Sequence, residues 1–221
     1  MAQQEQIPII NPSINPTISD PYNPNGISIS LYQNNERLMD PEEYSSLVYN
    51  IESRFRKSDV YKTIKNNIMN AKGIRFDQEM RNIDADMANI ELHHVLPTLK
   101  DATICIIESM IHTKNAVVSF EVLKMLELVH RENMMGIIML TETNHDLYHA
   151  DLTAFISIDQ MYGNPLKFLE VYGRYFTPEI ANKWLLHFKL EEQYNHKSYW
   201  PLIAKARPEL MSFNVPLNIM Y

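Results

Sequence analysis

Cysteine is almost missing from this 221-residue chain. Cys105, the only one, lies in the apolar run ATICIIESMI and cannot close an internal disulfide. A disulfide framework is therefore excluded, and cytoplasmic residence is the expectation. No run approaches the roughly 18 uninterrupted apolar residues that a membrane span needs. The opening MAQQEQIPII has neither the basic start nor the long apolar stretch of a secretion signal. Residues 1–36 lack lysine and arginine and hold five prolines and six asparagines. Such a stretch cannot make a helix and has little to bury. It reads as an extended arm, either disordered or laid along a partner. A Walker-type glycine loop, a CxxC pair, zinc-finger spacing and internal repeats are all missing.

What is present suits a chain that buries a core: 45% of the residues are hydrophobic. The net charge of −7 argues against binding nucleic acid by overall charge. The charge is uneven, however. Between Arg54 and Arg75 stand seven basic residues (Arg54, Arg56, Lys57, Lys62, Lys65, Lys72, Arg75) and one acid, Asp59. This run is either a solvated helical face or a surface for a polyanion.

The pattern predicts helices more often than strands. "DPEEY" supplies an N-cap in Asp40, a first-turn proline in Pro41 and acids at the positive end of the dipole. Leu47, Ile51 and Phe55 continue at helical spacing, and a second helix is expected over 58–72, stopped by Gly73. Strands are expected over 90–95 and 134–141, and helices over 99–111, 119–130 (capped by Ser119), 164–175 and 178–194. The expected fold class is helix-rich α+β. The expected segments are an arm (1–36), a helical, partly basic stretch (37–89), a central unit (90–152) with a helical insertion (98–131), and a C-terminal helical stretch (153–221).

Four of the eight histidines fall in two tight pairs. His93 and His94 are neighbours on a predicted strand, so their side chains point to opposite faces. His145 and His149 stand at i, i+4, which on a helix opened by Thr141 places both rings on one face, within reach of one ion. The bland reading of His130 is a cation at a helix C-terminus.

The segments "ELHHVLP" (91–97) and "IIMLTETNHDLYH" (137–149) resemble the HNH nucleases, also called ββα-metal or His-Me finger enzymes. The likeness is closest to the colicin-type DNases. The longer run "LHHVLPTL…LVHRENMMGIIMLTETNHDLYH" also looks like HNH-type proteins of tailed bacteriophages, where helices separate the two halves. The resemblance implies two short antiparallel strands and a helix embedded in a mainly helical domain. It implies one divalent ion (Zn, Ni, Mg or Mn) on His93, His145 and His149, with Glu91 supporting a ligand from behind. His94 would be the general base. The family's orienting asparagine would fall at position 136, which is Gly136 here, so Asn133 is the nearest substitute.

That resemblance implies a metal-dependent endonuclease acting on DNA, with Arg54, Arg56, Lys57, Lys62 and Lys65 as backbone contacts and the host cytoplasm as location if phage-encoded. Chemically, an open position on the ion and a partly neutral imidazole suit water activation. Two other readings stand beside it. One is a phage structural or assembly protein with a nuclease-derived fold, whose arm threads between subunits or joins it to a protein partner. The other is a DNA-binding accessory module with a structural metal.

Overall fold

Asp40 accepts a hydrogen bond from the Glu42 amide at 2.9 Å, and Pro41 opens helix α1 (Pro41–Lys57). The computed structural model describes residues 32–34, 37–114, 116–150, 155–206 and 208. Ser58 ends α1 and caps α2 (Asp59–Asn66), its hydroxyl accepting from the Tyr61 amide. The second helix is shorter than its periodicity predicts. It widens into a π-turn over Asn67–Ala71, which turns Ile68 into the core before Gly73 leaves at a φ of 69°.

Strand β1 (Tyr32–Asn34) pairs antiparallel with β3 (Ala116–Val118). The last part of the predicted arm is thus a strand, tied to the residues just before α4. Strand β2 (Ile90–Leu96) pairs antiparallel with β4 (Gly136–Thr141), with His93 opposite Ile138 and His94 opposite Ile137. Between them run α3 (Leu99–Thr113), capped by Thr98, and α4 (Ser119–Arg131). Ser119 is the first residue of α4 rather than its cap, because the extended Val118 occupies the cap position at the end of β3.

After β4 the chain enters α5 (Glu142–Ala150), with the Thr141 hydroxyl accepting from the Asn144 amide. Helices α6 (Pro165–Tyr172), α7 (Pro178–Asn195, capped by Thr177) and α8 (Trp200–Ala206) complete the described chain. The expected class, helix-rich α+β, is the one observed. One apolar cluster runs through these segments, from Leu38 and Phe55 through Leu92, Ile106 and Leu126 to Trp184 and Ile203.

Strand β4 is the centre of this core, buried along its whole length. Its second edge is covered piecewise. The Gln78 amide donates to the Met139 carbonyl at 2.9 Å, and the Gln78 side chain accepts from the Met139 amide at 2.7 Å. Further along, the Ile137 and Tyr162 backbones exchange hydrogen bonds of 2.9 and 2.7 Å. Gly136 is required where β4 starts. A Cβ there would lie 2.5 Å from the Met161 sulfur and 2.7 Å from the Leu96 carbonyl oxygen. The expected strand start at 134 moves to 136 because Asn133 and Met134 turn the chain out of α4.

Candidate functional site

Alternation along β2 divides its residues between two environments. Ile90, Leu92, His94 and Leu96 face the core, while Glu91, His93 and Val95 are half-buried. The adjacent histidines therefore do look in opposite directions.

On the half-buried face, α5 places His145 beside His93, with ring centroids 5.0 Å apart and edge to face. Tyr148 adds a third ring, 5.8 Å from His93. Glu91 Oε2 lies 3.1 Å from His145 Nδ1, a contact that orients the ring. The side chain of His149, the third expected ligand, lies outside the described residues. Among the described residues, no three His, Cys, Asp or Glu side chains converge as a metal-holding group.

On the core face, His94 is 5% exposed and its Nε2 lies 2.8 Å from Nε2 of His130. The other nitrogen of His130, Nδ1, lies 2.6 Å from the Leu126 carbonyl, so it carries the proton. In a neutral pair His130 Nε2 then accepts, His94 Nε2–H donates, and His94 Nδ1 is left bare. That nitrogen is buried without a hydrogen-bond partner. Burial holds both rings neutral: it pushes His130 down to about 4, against the opposing Leu126 hydrogen bond, with Arg56 adding a smaller push. Burial also lowers His94 well below the ordinary value, reinforced by His130 and Arg56. Tyr61 stacks on His94 at 6.0 Å, and Phe55 lies 5.1 Å from the His130 ring.

His94 is therefore a core residue on the buried face of β2. Asn133 does not orient it. This residue adopts a left-handed φ of 53°, its side chain accepts from the Tyr162 hydroxyl at 2.9 Å, and its carbonyl accepts from the Asn164 amide at 2.6 Å. Asn133 is a turn residue. The partner of His94 is His130, whose role the helix-end reading missed. The signal was its place four after Leu126 and seven after Leu123, on the apolar stripe of α4.

A third constellation lies beside these. The carboxylate of Asp77, fully buried, accepts from the amides of Glu79, Met80 and Thr141 and from the Asn144 side chain, at 2.7–2.9 Å. Burial alone would raise its pKa, but the amides of Met80, Thr141 and Glu79 overcome that and lower it. Asp77 thereby ties the 75–88 segment to the junction of β4 and α5. The basic residues occupy the end of α1 and α2. There Arg56 pairs with the half-buried Glu52 at 2.9 Å and Lys62 with the exposed Asp59 at 2.9 Å, while Arg54, Lys57 and Lys65 continue the same stretch.

What these features define is a helix-rich α+β protein around a two-stranded sheet whose core-facing histidine is buried against a second histidine. The chain belongs to the bacteriophage G278-like virion protein family, whose model matches residues 9–201. Comparison with curated proteins and with solved structures found no match. The family membership corrects the resemblance drawn from residues 91–97 and 137–149: the match to a virion protein family spans most of the chain, whereas the nuclease motif covered two short pieces. It equally overturns the reading as an HNH-type endonuclease. Among the described residues, no helix is long and apolar enough to cross a membrane.

Proposed function

We propose that the chain is a structural or assembly component of the phage particle, working through protein–protein contacts made by a folded body and an N-terminal arm. The observation that carries this reading is the extent of the family match, which begins at residue 9 and takes in most of the arm along with the body. Protein subunits of the particle are its partners, and the particle is its location. DNA is not needed by this reading. The test is quantitative proteomics on particles of the encoding phage, purified by density gradient and washed in high salt. The chain should remain at a reproducible copy number. Its presence in infected lysate but absence from washed particles would refute the proposal.

A divalent ion belongs to the same reading as a staple. The paired rings of His93 and His145, with Glu91 behind the second, suit such an ion. Such an ion would tie β2 to α5, and imidazole donors favour Zn²⁺ or Ni²⁺ over Mg²⁺ or Mn²⁺.

A further inference from the structure

The charge of this chain is split. Of its 20 basic residues, seven lie between Arg54 and Arg75 with one of its 27 acids, leaving 13 bases against 26 acids elsewhere. Two copies therefore repel one another over most of their surfaces and attract where the basic stretch of one meets an acidic part of the other. Along the flank of α2 in that stretch runs an open groove of about 410 Å³. Its lining includes Lys62, Lys65 and Asn66, the apolar Met69, and Ala88 and Asn89 from the segment before β2. The Lys62–Asp59 pair is more than 60% exposed on both partners, so it exchanges readily for another carboxylate.

We propose that this groove is the docking site for the N-terminal arm of a second copy of the chain. Residues 1–31 carry Glu5 and Asp20 as their only charged side chains, with isoleucines at 7, 9, 10, 14, 18, 27 and 29 and five prolines. A proline-rich extended chain leaves backbone carbonyls unpaired, and the lysine and asparagine side chains of the groove are donors. Isoleucine fits the Met69–Ala88 surface. The chain next to the arm is fixed, because Tyr32–Asn34 is paired with β3. The 31 residues before it can span about 100 Å when extended, against a diameter of about 40 Å for a body of this size. The arm can thus leave its own body and reach the next one. The proposal rests on the reading of the chain as a particle-building protein and supplies the contact that reading needs.

The experiment is sedimentation equilibrium on the full chain, with a charge-swap set: K62E/K65E, E5K/D20K, and the four substitutions together. The wild type should self-associate, each reversal should weaken association by about tenfold or more, and the combination should restore it. All four positions are outside the core or in the arm, and thermal melts identify any variant that misfolds. Zero-length carbodiimide coupling of a mixture of isotopically light and heavy wild-type chains should join Lys62 or Lys65 of one copy to Glu5 or Asp20 of another. A monomeric wild type, association indifferent to both reversals, a combination that fails to restore it, or links confined within single copies would each overturn the proposal. So would loss of duplex DNA binding in K62E/K65E with association unchanged, which would make the groove a nucleic-acid surface. Absence of the chain from washed particles refutes the particle role without altering any of these readouts, so the two failures are separable.

Discussion

Replacing Asp77 with alanine withdraws one acceptor from four donors. The amides of Glu79 and Met80 lie near solvent and can turn to water, but the Thr141 amide and the Asn144 side chain are buried. A buried donor left unsatisfied costs about 1–3 kcal/mol. Two of them give a loss of about 4 kcal/mol. In a domain of this size each kcal/mol moves the melting temperature by about 2–4 °C, so D77A should melt roughly 8–16 °C below wild type at pH 7. Circular dichroism melts measure this, and hydrogen exchange should quicken at the Thr141 amide. The pH dependence follows from the sign of the shift. A carboxylate whose pKa is lowered on folding stabilises above its unfolded value of 3.8, and that contribution is lost as the pH falls through the lower folded value. The gap between wild type and D77A should therefore close in acid. A variant melting within about 2 °C of wild type at pH 7 would refute the assignment of Asp77 as the tie between the 75–88 segment and β4.

Four further outcomes are expected. His130→Leu should lose about 1–3 kcal/mol by stranding the buried His94 Nε2–H, and His94→Phe combined with His130→Leu should recover part of it; no recovery in urea titrations would remove the pair's special role. Because burial holds His130 at about 4 against an unfolded value of 6.5, its contribution is full above pH 6.5 and is lost as the pH falls toward 4; a wild-type stability flat between pH 7 and 5 would contradict this. Gly136→Asn should cost about 1–3 kcal/mol, since the added Cβ meets the Leu96 carbonyl at 2.7 Å, and an unchanged melt would show that the strand yields freely there. Zn²⁺ or Ni²⁺ should raise the melting temperature of wild type and not of His93→Ala or His145→Ala, and calorimetric affinity unchanged by both substitutions would end the staple proposal.

The helical frame was legible because its signals are local. Asp40-Pro41, Thr177-Pro178 and the apolar spacing of α1, α4 and α7 each announce a helix within a few residues. Opposite faces for His93 and His94 followed from the strand period alone. What each face meets did not, since that depends on α4 returning across β2 with His130 on its buried stripe. The nuclease resemblance failed for the same reason. Short motifs record which residue types stand at which spacing, whereas the burial of His94 comes from helices up to 40 residues away. Asp77 was invisible too, because its donors Thr141 and Asn144 lie more than 60 positions along the chain. Gly136 could be read as a departure from a pattern, but the backbone approach that forbids a side chain there appears only in three dimensions.

The covering of β4 bears on how such a protein tolerates crowding. A buried two-stranded sheet with a bare apolar strand would be a template for lateral growth, one copy adding its strand to the next without limit. Gln78 and Tyr162 occupy the hydrogen-bonding positions that an incoming strand would need at Met139 and Ile137. Gln78 does so partly through a side-chain amide, which imitates a backbone without offering a further edge of its own. At high protein concentration, this keeps the outer edge of β4 from acting as a polymerisation seed.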